Sequence, residues 1–582
     1  MSSSAPIATP ATCPSAVPGV PTADHVVAHT LLNCLLREVS GPEHQTAVSD
    51  GHLLLRLPRT GDLLRVRLRR ASLIGAHRFT GPVTVQRDGE QGGGWAELTW
   101  QALAELIHRE LRLRTGVRNE EFLDQVASSH AGVSAALAAR RPGADEPAGT
   151  DRYVDSEQSL LYGHRFHPTP KARTGAAEDW DRYAPEARAR FALRHLAVRR
   201  ELVREEAATP TALAALDRQG SVPEGYVLLP AHPWQYGMFR DHPLLRAAAG
   251  RGDVIDLGER GPAFAPTASV RTLYDGKDFL KFSLNIRITN CLRKNSEYEL
   301  TGAVALTRLL EPAATGLAAR FPGADLLREP GYRTLDLGSR ELAEAFGVIV
   351  REGLGARLAP GLTALLAGAV ADEYPTGAAQ VSRLLAGTGP ETALAWWDAY
   401  LGLLVPPVLA AYFDHGIVLE PHLQNVVVGV DGAGMPRQVL LRDLEGTKLL
   451  PEHHAEALAA LGDDVARPMT YDRERGWDRV VYCLVVNHLA EMLAALADRH
   501  PRLEPELWSA LRRVLAARSA AHGNPPLLRA LVAGVPLPAK ANLLTRWERK
   551  ADRHAGYVRI GSPLVSDLLS EASRTAPWST AS

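Results

Sequence analysis

The sequence predicts an α+β fold built from several domains, and three features carry that expectation. Strand-type runs lie among helix-type segments in the first quarter. A strictly alternating polar/apolar run, Lys281 to Asn290, sits mid-chain. The remainder is Ala/Leu/Arg-rich helix, broken by one strand-rich island at Ile417–Asp443. A chain of 582 residues is too long for one simple core, so two to four domains are expected.

Taken in order, Met1–Asp24 is rich in Ser, Ala, Pro and Thr and reads as a disordered tail. Residues 25–150 read as a mixed α+β unit. His25–Glu38 has helical periodicity, His52–Leu57 and Leu63–Arg67 read as strands joined by a turn, and Arg78–Val85 adds a third. Trp100–Leu113 and Glu120–Ala139 read as helices, and the Pro/Gly-rich run Arg141–Gly149 reads as a boundary. Residues 151–298 carry short helices, several His and Pro residues, and strands near Gly225–Leu229 and Ser269–Asn290. Residues 299–582 are expected to be mainly helical around the island at 417–443. The apolar stretch Ala395–Tyr412 contains Asp398 and Pro406-Pro407, which favours a buried helix pair over a membrane span.

Composition excludes some functions. With 65 Lys+Arg against 66 Asp+Glu there is no basic field for nucleic acid. The four cysteines (Cys13, Cys34, Cys291, Cys483) are far apart, as suits reduced thiols in a cytoplasmic protein. Only seven of the 65 basic residues are lysines, so each lysine merits attention as a compact point charge.

In the alternating run, Phe282, Leu284, Ile286 and Ile288 share one face. The other face displays Lys281, Ser283, Asn285, Arg287 and Thr289, followed by Arg293 and Lys294. Pro266–Leu273 and the Asp275-Gly276 turn precede it, which suggests a β-hairpin whose register stays open. A face with cations and hydroxyls but no acid suits a polyphosphate or carboxylate.

In the island, Val426–Val430 and a strand returning to Leu441 form a hairpin that brings Asp443 close to Asn425. An Asn/Asp oxygen pair is of the kind magnesium takes beside nucleotide phosphates. His422 is placed to donate to a phosphate or oxyanion, with Glu420 and Gln424 close by in sequence.

These residues resemble the NRPS-independent siderophore synthetases of the aerobactin-synthetase (IucA/IucC) type. His164-Arg165-Phe166-His167-Pro168-Thr169-Pro170-Lys171 resembles an early His-x-x-His-Pro-x-x-Lys motif, with Arg165 where the family often has Pro. His232-Pro233-Trp234-Gln235, Thr267–Thr272, Lys281–Asn295, and Glu420–Asn425 with Arg442-Asp443 resemble further motifs, and Lys540–Leu544 is a candidate sixth. The resemblance implies a cupped-hand fold of thumb, fingers and a helical palm with kinase-like elements. It implies an AMP-forming ligase that uses ATP and Mg2+ to adenylate a polycarboxylate, citrate being favoured. An amine or hydroxyl nucleophile then completes an amide or ester. A homodimer is implied as well.

By the same resemblance, Ser269, Arg271, Thr272, Lys281 and Arg293 bind ATP, with Glu420 and Gln424 beside them. His164, His167, Lys171, Thr289, Asn290, Arg293 and His422 serve the carboxylate. Asn425, Asp443 and Glu420 hold the metal. His422, Arg293 and Lys281 are the catalytic candidates. Two other readings stand beside this one. His422, Asn425 and Asp443 alone would allow a kinase-like phosphotransferase, although it lacks an acidic base before the Asn. A non-catalytic nucleotide- or siderophore-binding protein is the third.

Overall fold

A computed structural model of the chain describes residues 20–87, 94–140, 151–288, 291–374, 376–551 and 554–565. Most of the expected tail, the 141–149 boundary, Thr289 and Asn290 lie outside these residues.

The N-terminal unit is a five-stranded antiparallel sheet (Thr46–Ser49, His52–Arg56, Leu63–Arg70, Arg78–Gln86, Ala96–Leu98). Helices Ala23–Leu35, Trp100–Thr115 and Glu121–Ala139 pack with it. Thr22 and Thr99 cap the first two of these by accepting the backbone N–H three residues on, which satisfies an orphan donor of the first turn.

The end of the chain belongs to this same core. Leu543 and Trp547, on helix Asn542–Trp547, are fully buried in it, and Trp547 packs edge-on against Phe122. The Glu38 carboxylate accepts the N–H groups of Leu543 and Leu544 at 2.9 Å each, capping that helix from more than 500 residues away.

The central sheet has eight strands in the order Val203–Ala207, Gly331–Leu335, Val348–Arg351, Phe279–Phe282, Thr272–Tyr274, Val254–Pro266, Phe191–Arg199, Tyr226–Ala231. Two of these fall beyond residue 299, where the sequence suggested mainly helix. Gly331–Leu335 and Val348–Arg351 are buried at every position, so they lack the alternation that marks a half-buried strand.

The run Lys281–Asn290 also differs from its expected form. It breaks at Ser283: Phe279–Phe282 stays in the large sheet, while Leu284–Ile288 pairs with Cys291–Arg293. The Ser283 hydroxyl is turned inward, donating to the Glu344 carbonyl at 2.5 Å and accepting from the Asn295 N–H at 2.7 Å. Lys281 and Ser283 are each only 1% exposed, so the polar face expected to be displayed is buried here.

The island forms the middle of a four-stranded sheet (Ala324–Leu326, Pro436–Leu441, Val426–Val430, Thr363–Leu366). Behind it, Pro390–His415 is one continuous helix rather than a helix pair. Its two internal prolines are buried, and Trp396 and Trp397 are fully enclosed. Among the described residues, this helix and 473–499 are long and apolar enough to cross a membrane. Both pack within the largest hydrophobic cluster.

Candidate active site

The hairpin register left open by sequence is Thr272 opposite Lys281, Leu273 opposite Leu280 and Tyr274 opposite Phe279. The loop before it, Thr267–Thr272, is held by its own hydroxyls. Ser269 Oγ lies 3.2 Å from Thr267 Oγ1 and accepts from the Thr272 N–H at 3.2 Å. Val270, at φ +69°, has the left-handed backbone that a β-branched residue rarely adopts. Such strain persists where surrounding structure over-determines it and clusters at functional loops.

In the second hairpin Val426 faces Leu441, and the Arg442 N–H donates to the Asn425 carbonyl at 3.0 Å. Asp443 therefore follows directly on the residue bonded to Asn425, as the strand lengths predicted. It too is left-handed, at φ +75°.

The two hairpins meet in a buried charge cluster. Lys281 Nζ lies 2.6 Å from Asp443 Oδ1 and 2.8 Å from Glu445 Oε2. Arg271 Nη2 is 2.7 Å from the same Glu445 oxygen, and its Nη1 donates to Asn295 at 2.6 Å. Arg351 bridges Glu329 (2.6 Å) and Asp443 (3.1 Å). Burial by itself would raise the carboxyl pKa values, but the neighbouring cations outweigh it. Asp443 lies well below the usual carboxylate range, and Glu445 is drawn down to about 2. Burial would lower the Lys281 ammonium; Asp443, Glu329 and Glu445 outweigh that and raise it.

The expected acid-free cationic face is thus corrected. Its cations are matched by carboxylates from distant segments, of which Glu445, Glu329 and the Arg351 link carried no sequence signal. Glu157 was missed as well. It accepts from the Ala268 N–H (2.9 Å) and from Arg442 Nη1 (2.6 Å), tying the 267–272 loop to the strand end before Asp443.

A cavity of about 500 Å3 lies beside this cluster. His164, His167, Lys171, Arg293, Glu420, His422 and Gln424 all line it. Arg293 is half-buried, and its Nε is closed off from solvent without a partner among the described residues. His422 sits in a tight turn, its carbonyl accepting from the Asn425 N–H at 2.8 Å. Burial lowers its pKa despite the fields of Glu420 and Asp443, so the ring is held neutral. His164 Nδ1 lies 3.1 Å from the Phe166 backbone nitrogen, and its Nε2 lies 2.8 Å from Asn487 Nδ2.

Other expected site residues are differently engaged. Lys171 is neutralised by Glu186 and also donates to the Leu160 carbonyl (2.9 Å). His167 Nδ1 accepts the Thr169 N–H, a local turn contact. Glu420 faces Arg479 at 2.5 Å and lies over Gly446, where an added Cβ would come within 2.4 Å of its Oε2.

The donor set fits magnesium in kind. The Asp443 and Glu445 carboxylates and the Asn425 side chain are hard oxygen groups at one hairpin end, with both carboxylates held ionised. Among the described residues no group of three or more His, Cys, Asp or Glu is arranged as a metal cage.

The sequence profile of the IucA/IucC family matches residues 152–372. A profile described as ferric iron reductase FhuF-like transporter matches residues 394–555, the helical part. Rhizobactin siderophore biosynthesis protein RhbC of Rhizobium meliloti is 30% identical over 571 residues, covering 92% of this chain and 96% of the relative. The L-2,3-diaminopropanoate–citrate ligase of Staphylococcus aureus is 30% identical over 422 residues, covering 68% and 72%. The ATP-bound aerobactin synthetase IucA of Klebsiella pneumoniae superimposes with a TM-score of 0.82 at 26% identity, covering 93% of this chain and 99% of that one.

A cluster of paired charges between two hairpins, beside a cavity in this fold, defines a ligase of the siderophore-synthetase class. The chain belongs to the IucA/IucC family.

Proposed function

We propose that the protein activates a polycarboxylate, with citrate the favoured acid, as its acyl-adenylate, and condenses it with an amine or hydroxyl. The carrying observation is that Arg293, whose Nε has no partner among the described residues, and neutral His422 face one cavity. In the first step a carboxylate oxygen bonds to the α-phosphorus of ATP while the α–β phosphoanhydride bond breaks and pyrophosphate leaves with the electron pair. In the second, the nucleophile bonds to the acyl carbon, AMP leaves, and the nucleophile's proton is lost. The first step brings one anion against another. Arg293 and a donor N–H of His422 lower that repulsion and stabilise the charge that develops.

Lys281 and Arg271 serve the triphosphate, with Ser269 and Thr272 shaping the strained loop beside them. Asn425, Asp443 and Glu445 would hold magnesium, which supplies charge neutralisation at the phosphates. Citrate is favoured because relatives carry it in their names, the Staphylococcus aureus ligase among them. A kinase-like phosphotransferase has no support among these relatives.

Purified protein with ATP, Mg2+, citrate and a panel of amines and alcohols should release pyrophosphate and AMP. Release of ADP, or no turnover with any polycarboxylate, would sink the reading.

A further inference from the structure

Helix 473–499 does not wind evenly. At Tyr482–Leu489 it widens into a π-helix of eight residues, a winding that mostly appears as single turns and is frequent at functional sites. Tyr482, Cys483, Val486 and Asn487 of this stretch line the cavity. Asn487 Nδ2 lies 2.8 Å from His164 Nε2. The next residue, His488, is fully buried, with its Nδ1 2.7 Å from the Pro421 carbonyl oxygen. Pro421 directly precedes His422. Adjacent residues of one helix thus reach both cavity histidines, His164 by side-chain contact and His422 through the backbone.

The chemistry of the His488 contacts is fixed. A carbonyl oxygen only accepts, so Nδ1 carries a proton and donates it. Burial lowers the ring pKa to about 3, so the ring has that one proton and Nε2 accepts. Its donor is the Tyr400 hydroxyl at 2.5 Å, which burial keeps protonated. Tyr400 belongs to helix Pro390–His415 and is itself fully buried in the largest hydrophobic cluster. Two hydrogen bonds therefore run from that core, through His488, to the residue before His422.

The turn that carries His422 depends on such bracing. Residues 420–425 lie between the strands Ile417–Val418 and Val426–Val430. Each carbonyl there has its own donor: the His422 N–H for Glu420, the Asn425 N–H for His422, the Gly368 N–H for Leu423, and Arg442 for Gln424 and Asn425. For Pro421 the donor is His488. Proline has no N–H of its own to anchor this point. The Pro421 carbonyl shares a rigid peptide plane with the His422 nitrogen, so holding the one sets the backbone entry to the other.

We infer that Asn487 and His488 are positioning residues for the reaction: Asn487 sets His164 at the cavity wall, and His488, through the Pro421 carbonyl, sets the turn that carries His422. The inference rests on the adenylation reading for the reaction but not for the contacts.

The test separates the two. Citrate-dependent exchange of pyrophosphate into ATP reports the reaction, and its absence in the wild type would sink the adenylation reading. Replacing both Tyr400→Phe and His488→Phe removes the relay without leaving an orphan hydroxyl. Its kcat in exchange should fall at least tenfold, with the KM for ATP within twofold of wild type. His488→Asn keeps an N–H near the Nδ1 position and should retain at least a third of the rate. Asn487→Ala should raise the KM for citrate at least threefold. Modification of His422 by diethyl pyrocarbonate, followed by peptide mass spectrometry, needs no turnover. Its rate should change at least threefold in the double variant, and in the same direction in the milder Tyr400→Phe, while exposed His44 reacts as in wild type. An unchanged His422 rate in both, or His488→Asn as impaired in exchange as the double variant at equal melting temperature, would overturn the inference.

Discussion

Lys281 Nζ lies 2.6 Å from Asp443 Oδ1, although 162 residues separate them in the chain. Each residue ends a hairpin, and the contact joins the eight-stranded sheet to the island hairpin. Only a compact ammonium reaches Asp443 and Glu445 together here, since Arg271 and Arg351 already occupy the flanks. Lys281→Arg keeps the charge but brings a wider fork to a side chain that is 1% exposed. We expect a raised KM for ATP and at least a tenfold loss of pyrophosphate exchange. Full activity with unchanged ATP dependence would show that the scarcity of lysine is compositional only.

Removing the charge is a different experiment. Lys281→Met takes one cation from Asp443 and Glu445, whose side chains are 28% and 34% exposed and keep Arg351 and Arg271, so the cost is about 1–3 kcal/mol. Denaturant unfolding should show a loss of that order. A stability within about 1 kcal/mol of wild type would mean that Arg271 and Arg351 suffice.

Arg293 has an Nε with no partner among the described residues, at the cavity, so its truncation should cost function more than stability. Arg293→Ala should lower citrate-dependent exchange by about 10²–10³, the range for losing one preorganised donor. Its melting temperature should stay close to that of wild type. A variant that is equally active would remove Arg293 from the site.

Arg442 is 5% exposed and Glu157 1%, and the pair ties the 267–272 loop to the strand end before Asp443 through Ala268. Arg442→Met strands Glu157 and frees the Gln424 carbonyl, which accepts from Arg442 at 2.8 Å. A destabilisation of about 3–5 kcal/mol is expected. Glu157→Gln together with Arg442→Met should recover part of it in a double-mutant cycle; strict additivity would disprove the coupling.

Glu38 predicts a pH dependence. Burial raises its carboxyl from the ordinary 4.5 to about 8, against the pull of the Leu543 and Leu544 N–H groups. The folded form then binds a proton that the unfolded chain releases above about 4.5. Its contribution is fully present below that pH and is lost as pH rises through about 8. Stability should therefore fall from pH 5 to 8.5, with helix 542–547 loosening by hydrogen exchange. Glu38→Gln should flatten that dependence; an unchanged slope would assign it elsewhere.

The chain sequence by itself determined a good deal. The hairpin ending at Leu441, the approach of Asp443 to Asn425, the Thr272–Tyr274/Phe279–Phe282 pair and the N-terminal strands are local. They rest on turn residues and two-residue periodicity, which short stretches of sequence carry in full. The ordered motifs likewise pointed to the family. What only the tertiary structure decided were the partners. Glu445 closing on Lys281, Arg351 on Asp443, Glu157 on Arg442 and Glu38 on a helix at the far end of the chain involve residues scores to hundreds of positions apart. No periodicity links them. A buried charge must be compensated by whichever opposite charge the packing brings near, and that identity is a property of the assembled core alone.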